Sequence, residues 1–223
     1  MHKPLSTGAT IGILGGGQLG RMLSVAAARL GFRSHIFEPG IGCPASHVAD
    51  QLTTASYTDT DALQRFAETV DVITYEFENI PTSALDVLEQ VATIRPGREA
   101  LRISQDRLTE KDFLNSLGLK TAPYAAIDDA PALGAALNAF GTAAILKTRR
   151  FGYDGKGQVR LQPDSDPQVA VADLAGQAAL LEGFVDFSHE VSVIGARGAD
   201  GAVCCFDPGE NVHSNGILRT TTL

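Results

Sequence analysis

The segment Thr10-Ile11-Gly12-Ile13-Leu14-Gly15-Gly16-Gly17-Gln18-Leu19-Gly20 constrains the fold more than any other. An apolar run ends in glycines spaced GxGxxG, and Leu19, Met22, Leu23, Ala26 and Leu30 then recur at helical spacing until Gly31 supplies a stop. Strand, glycine turn and helix in succession make half of a β-α-β unit, whose turn presents backbone N–H groups at a helix N-terminus and attracts anions. A second apolar segment, Ser34 to Phe37, ends at Glu38. That acid lies about twenty residues after the glycines, where a dinucleotide fingerprint places its ribose-binding carboxylate.

The alternation continues through the first hundred residues. A short apolar run lies near Leu52, a helical pattern covers Thr60 to Glu68, and Val70 to Tyr75 is rich in strand-forming residues. Pro81 stands at a favourable early helix position, and Val91 to Ile94 closes the series. Strands alternating with helices predict a parallel sheet covered on both faces, a Rossmann-like α/β domain over residues 1–103. The charged helical stretch from Gln105 to Lys111, continued to Leu117 before Gly118, reads as a connector over 104–120. Beyond Thr121 the strand-like segments are Ala143 to Lys147, Gln158 to Leu161, Ala178 to Val185, Glu190 to Ala196 and Ala202 to Phe206, with one or two helices among them. This predicts an α+β region divided into 121–185 and 186–223. Gly216 to Leu223 carry no stop signal, so the second domain is expected to be incomplete at the C-terminus.

With 44% hydrophobic residues the chain is that of a globular protein, and 18 basic against 26 acidic residues give a net charge of -8. This argues against nucleic acid or an anionic membrane as partner, so any phosphate must be held by local groups. No apolar run reaches the roughly eighteen residues of a membrane span, and the leader MHKPLSTGAT lacks a signal-peptide core, so a cytoplasmic location is expected. The three cysteines, Cys43, Cys204 and Cys205, form no CxxC pair, which argues against a disulfide framework or thiolate zinc. Cys204 and Cys205 are expected to pack on opposite faces of a strand. The five histidines show no metal-ligand spacing.

Three stretches have the composition of a site. In Ile145-Leu146-Lys147-Thr148-Arg149-Arg150-Phe151-Gly152-Tyr153-Asp154-Gly155-Lys156-Gly157-Gln158 an apolar strand delivers a lysine and then a loop with three glycines. Its amides suit polyphosphate oxygens, with Lys147 supplying charge, while Asp154-Gly155 equally suits the turn of a β-hairpin. In the segment from Leu180 to Val193, Glu182 ends an apolar strand as a nucleotide acceptor or a solvated carboxylate; further on, Glu190 and Ser192 share one face of an extended segment, with Val191 and Val193 on the other. Thr74 to Pro81 ends a strand of the parallel sheet, where ligands of open α/β sheets gather, placing Glu76, Glu78 and Asn79. Asn79 suits a helix cap equally well, and the acids suit the surface.

Taken in order, ILGGGQLGRML, FEP, TYEFENIP, Asp106 to Lys111 (DRLTEK), ILKTRRFGYDGKGQ, EGFVDFSHEVSVIGARG and HSNGILRT closely resemble the 5-(carboxyamino)imidazole ribonucleotide synthase family of ATP-grasp enzymes. The resemblance runs from residue 10 to residue 222. It implies a pre-ATP-grasp domain followed by an ATP-grasp domain, small subdomain first. It also implies ATP-dependent carboxylation of 5-aminoimidazole ribonucleotide by bicarbonate, through carboxyphosphate, with release of ADP and phosphate in purine biosynthesis. Positions matching the ATP site are Arg107, Lys147, Gly152, Tyr153, Asp154, Gly155, Lys156, Gly157, Gln158, Glu182, Gly183, Phe184, Val185, Glu190 and His213. Of these, Lys147, Tyr153 and Asp154 carry the catalytic expectation, the last two towards the imidazole side. The resemblance puts the ribonucleotide between the first domain and the grasp, near Gly17, Gln18, Leu19, Glu76 and Asn79, its phosphate by the glycine turn. It further implies a homodimer and magnesium, with no metal ligands within this chain because the family's acids lie beyond Leu223.

Two other classes compete. A nicotinamide-dependent oxidoreductase would use the glycine fingerprint and Glu38, yet nothing in the later half supplies an obvious hydride-transfer acid or base, and the lysine and triple-glycine loop would have no role. A non-catalytic nucleotide-binding scaffold shares the fold, since fold alone does not establish activity. Phosphoryl transfer depends on metal ions that bridge the phosphates, so residues 1–223 alone are expected to bind ATP weakly without turning over. A phosphate-release assay on this fragment with all substrates present checks this, and release above background overturns it.

Overall fold

The computed structural model describes residues 4–152, 156–174, 176–214 and 217–223. The chain divides into two compact units, one spanning Lys3–Gln105 and the other taking Asp106–Leu223. The first contains strands β1 (Thr10–Leu14), β2 (Arg33–Phe37), β3 (Gln51–Thr53) and β4 (Val72–Tyr75), with helices α1 (Gln18–Arg29), α2 (Thr60–Ala67), α3 (Thr82–Leu88) and α4 (Arg98–Ser104). The strands form the expected parallel sheet in the order β3-β2-β1-β4, so the order reverses beside β1. In such a sheet the C-terminal strand ends at the reversal form the crevice. Leu14 lies level with Phe37 of β2 and Tyr75 of β4, so the residues that follow all three strands emerge side by side.

Alternation along these strands divides the core. Leu14 and Phe37 pack with Phe66, Leu63, Ile80 and Leu85, whereas Ile13 and Ile36 pack with Cys43 and Ala45. Helix α1 corrects a simple reading of its pattern: it buries Gly20, Ser24 and Ala27, while Leu19, Met22 and Leu30 are 57%, 65% and 70% exposed. The reason is steric. A Cβ on Gly20 would come within 2.6 Å of the Gly15 carbonyl oxygen, so the helix approaches the turn through its small residues and its large apolar side chains face outward. Two other readings are also corrected. The segment from Val91 to Ile94 contributes only a bridge between Ile94 and Ile73, and Pro81 precedes α3 as its cap residue.

The second unit opens with α5 (Arg107–Ser116), followed by β5 (Tyr124–Ile127), α6 (Ala130–Phe140), β6 (Ala144–Thr148), β7 (Gln158–Leu161), α7 (Pro167–Asp173) and β8 (Ala179–Gly183). Its four strands are antiparallel in the order β5-β8-β6-β7. Carboxylates at Asp106, Asp129 and Asp166 accept first-turn amides of α5, α6 and α7, and Gly141 closes α6 in the left-handed conformation at φ +62°. Helices α6 and α7 cover the sheet face that carries Ala144, Leu146, Leu161, Ala179 and Leu181. The opposite face is left to Lys147, Glu182 and Tyr124. The β6–β7 pairing bears out the hairpin, whose expected Asp154-Gly155 turn lies outside the described residues.

Further on, β9 (Glu190–Ser192), β12 (Gly209–Ser214) and β13 (Ile217–Thr222) form one antiparallel sheet, and β10 (Gly195–Arg197) pairs with β11 (Val203–Cys205). The single strand expected from Glu190 to Ala196 is therefore two. Cys204 and Cys205 are adjacent in β11 and so point to opposite faces as expected, but both are exposed, as is every residue of β10 and β11, which corrects the expectation that they pack.

In the first unit His35 is buried, its ring nitrogens 2.8 Å from the hydroxyls of Thr69 and Thr53 and its ring edge-on to Phe66. Burial holds its pKa below the ordinary histidine value. The unfolded chain therefore takes up a proton near pH 6.5 that the folded unit resists, so the stability His35 contributes is intact above that pH and is lost as pH falls towards the folded value. Thermal unfolding of the wild type between pH 7.5 and 5.5 should show this loss, and His35→Gln should flatten the slope while lowering stability at pH 7.5.

Candidate functional site

The antiparallel register of β6 and β8 builds the centre of the second unit's open face. Lys147 is paired with Leu180 and Ile145 with Glu182, so Lys147 and Glu182 are diagonal neighbours on the side opposite the helices. The Lys147 ammonium donates to Glu182 Oε2 at 2.8 Å, and Lys111 Nζ lies 3.3 Å from Glu182 Oε1. The Glu182 side chain is only 13% exposed, which replaces the solvated-carboxylate alternative. Burial alone would push its carboxyl up, but the hydrogen bond from Lys147 and the charges of Lys147 and Lys111 outweigh it and hold the group below the usual range. Two lysines against one carboxylate leave net positive charge here, which suits an anion. Lys111 also lies 5.7 Å from the centre of the Tyr124 ring, and Tyr124 donates to Asp112 at 2.7 Å.

Arg107 and Lys111 are four residues apart on α5 and so share a helix face. The Arg107 guanidinium donates to the carbonyls of Thr148 at 2.9 Å and Gly152 at 2.7 Å, and its amide donates to Arg149 O. Asp106, the cap of α5, accepts a two-pronged contact from Arg149 at 3.0 and 2.7 Å. Burial pushes the Asp106 carboxyl up, but Arg149 and the Thr109 and Leu108 amides prevail and hold it low. The loop itself requires glycine: Gly157 has φ +68°, and its amide neighbour Thr148 would meet an added Cβ at 2.7 Å. Phe151 adopts φ +64°, a strained conformation for a side chain of its size. A cavity of about 710 Å³ lies beside this loop, lined by Asp106, Arg149, Arg150, Phe151, Gln177 and Ala178.

The remaining expected ATP-side residues fall as follows. Gln158 is opposite Lys147 in the hairpin, and Lys156 and Gly157 precede it; Tyr153, Asp154 and Gly155 lie outside the described residues. The Gly183 amide donates to Pro123 O and the Phe184 amide to Ala143 O, so both are committed to the fold, while Val185 is half exposed. Glu190 is paired with Asn211 across β9 and β12, and its carboxylate lies 3.3 Å from His213 Nδ1. Sequence reasoning missed Lys111, Asp106 and Arg149. The signal for Lys111 was its spacing from Arg107.

In the first unit, Gly17 caps α1, Gln18 and Leu19 begin it, and Glu76 follows β4. The Gly17 amide donates to Glu76 Oε1 at 2.6 Å and the Gly20 amide to Glu76 Oε2; on the other side the Gly16 amide donates to Glu38 Oε2 at 2.8 Å. Asn79 does not cap α3: its amide nitrogen donates to Glu78, and its buried Oδ1 has no partner among the described residues.

A family profile for the ribonucleotide synthetase pre-ATP-grasp domain matches residues 8–105, and one for the ATP-grasp domain matches residues 112–223. The chain belongs to the ATP-grasp family. The ATP-grasp chain is 55% identical over 221 residues to the N5-carboxyaminoimidazole ribonucleotide synthase of Brucella melitensis, covering 98% of this chain and 61% of that protein. It is 42% identical to the Bacillus subtilis enzyme of that name, covering 95% of this chain and 56% of the other. Among solved structures, an ADP complex of an N5-carboxyaminoimidazole ribonucleotide synthetase superposes with a TM-score of 0.93 at 40% identity, covering 99% of this chain and 59% of that one. The Aspergillus clavatus enzyme with ADP and 5-aminoimidazole ribonucleotide gives 0.85 at 27% identity, over 95% and 56%. This chain thus spans about three fifths of the length of the relatives it matches.

The Glu182 titration tests the electrostatics. Followed by carboxyl-carbon NMR, Glu182 in the wild type should titrate below a model glutamate, and Lys147→Ala should move it upward. An unchanged value would mean that Lys111 alone suffices.

Proposed function

We propose that the protein to which this chain belongs carboxylates 5-aminoimidazole ribonucleotide with bicarbonate at the expense of ATP. The observation that carries the reading is the Lys111–Glu182–Lys147 cluster beside a glycine loop, in an ATP-grasp chain 55% identical to a synthase of that activity. In this reaction a bicarbonate oxygen takes the γ-phosphoryl group, giving carboxyphosphate and ADP. The exocyclic amine of the ribonucleotide then attacks the carboxyl carbon, phosphate leaves, and the amine loses a proton.

Lys147 and the amides of Gly152, Gly155 and Gly157 offset phosphate charge in this proposal, with Arg107, Lys156 and Gln158 beside them. The Glu182 to Val185 segment takes the adenine edge. Because the Gly183 and Phe184 amides already donate within the fold, its carbonyls and the Val185 amide make that contact. Glu190 holds the ribose, with His213 against it. Tyr153 and Asp154 meet the imidazole, and the ribonucleotide lies by Gly17, Gln18, Leu19, Glu76 and Asn79. The unpartnered Asn79 oxygen supports this, since a buried acceptor without a donor costs about 1–3 kcal/mol that a ligand N–H or O–H relieves.

Among the described residues no three His, Cys, Asp or Glu side chains come together to hold a metal, and no step is assigned to one. The reading places magnesium ligands beyond Leu223, with turnover absent from residues 1–223 alone. A homodimer, as the family resemblance implies, and a cytoplasmic location, as expected from the sequence, belong to the same proposal; no helix among the described residues is long and apolar enough to cross a membrane. The full-length protein should release phosphate from ATP only when both bicarbonate and the ribonucleotide are supplied. Lys147→Ala should weaken ATP binding by calorimetry at least tenfold, about 1.4 kcal/mol. Equal affinity in wild type and variant would refute the assignment of Lys147.

A further inference from the structure

The GxGxxG turn that opens the chain has the form of a phosphate cradle, yet its donors are spoken for. Strand order sets Glu38 at the end of β2 and Glu76 at the end of β4, on either side of the turn that follows β1. Their carboxylates accept the amides of Gly16, Gly17 and Gly20, the groups a helix N-terminus would offer to an external anion. Glu38 Oε1 is further held by the Gly40 amide at 2.9 Å.

The same two side chains, with Cys43, crowd the turn's glycines, and Gly15 also has a left-handed φ of +102°. A Cβ on Gly15 would stand 2.5 Å from Glu76 Cγ, one on Gly16 would stand 2.5 Å from Cys43 Sγ and 2.9 Å from Glu38 Cγ, and one on Gly17 would stand 2.7 Å from Glu76 Oε1. Gly17 has φ -71°, a conformation open to any residue, so backbone strain does not account for it. What requires glycine there is the room Glu76 occupies.

We propose that Glu38 and Glu76 are resident anions that fill the glycine turn and close it to phosphates and dinucleotides, so that the turn selects against the ligand its fingerprint advertises. An external phosphate would have to displace a charge-assisted carboxylate held by two amides and then sit beside its negative charge. The ribonucleotide phosphate is accordingly held away from these amides, which narrows the first-unit part of the proposed function without depending on the reaction being the one proposed.

The test is a stability cycle on the full-length protein with no ligand present, joined to titrations with NADH and with inorganic phosphate. Gly17→Ala should lower the thermal midpoint by several degrees, because its methyl drives Glu76 off the amides. Glu76→Ala should also lower it, and the double variant should fall no further than the worse single one, since the methyl then has nothing to collide with. Wild type should show no saturable NADH fluorescence change. In Glu76→Ala the emptied cradle should make the thermal midpoint rise with phosphate more steeply than in wild type at matched ionic strength. If Glu76→Ala does not fold, Glu76→Gln replaces it: its amide sets a donor against a backbone donor, so it too should lower the thermal midpoint and make that midpoint rise with phosphate more steeply than in wild type. An unchanged midpoint in Gly17→Ala, additive losses in the double variant, saturable NADH binding by wild type, or equal phosphate responses would each overturn the proposal. None of these readouts depends on carboxylation, so failure here and failure of the proposed reaction are distinguishable.

Discussion

Side chains alternate across a β-strand, and both units use that constraint to place what they do not bury. In the second unit Leu146 and Leu181 enter the core under α6 and α7, which sends Lys147 and Glu182 to the other face, diagonal to one another. In the first, the parallel register levels Leu14 with Phe37 and Tyr75, so the next residues on three strands share one edge of the sheet. The pleat thus sets the lysine–glutamate pair, and the register sets the row of Glu38, glycine turn and Glu76. Loops carry the groups, but the strands decide where they come out.

The two sites treat charge in opposite ways. Around Glu182 two cations meet one anion, and the surplus positive charge is available to an incoming anion. Around the glycine turn the partial positive charge of a helix N-terminus meets carboxylates that are part of the chain, so the local demand for an anion is met from within. A motif that attracts anions therefore describes a need and leaves open who satisfies it.

Much of this organisation could be read in the residues. Periodicity locates β1, β2, β4 and α2 to within a residue or two, and the parallel sheet follows from their alternation with helices. The lysine strand and its hairpin partner were legible from apolar flanks around a turn dipeptide. What escaped was non-local. Glu38 and Glu76 reach the turn across 22 and 59 positions, and nothing within a window around GGGQLG records their arrival. The apolar stripe of α1 suggested a core face, but close approach to the sheet selected the small residues instead. Strands β5, β12 and β13 escaped because their sequences carry weak alternation, and Lys111 escaped because its partner Glu182 stands 71 positions later in the chain.

Asp106 caps α5 and grips Arg149 at the end of the strand that bears Lys147. A helix is a screw, and pinning its first thread sets the azimuth of every later side chain at roughly 100° per residue. Four residues on, Lys111 returns to within about 40° of Arg107, so the bolt at Asp106 keeps both cations in phase with the strand. Slipping that thread by a single residue would rotate Lys111 away from Glu182 by more than a quarter of a turn, which makes a capping carboxylate the timing mark of the cluster.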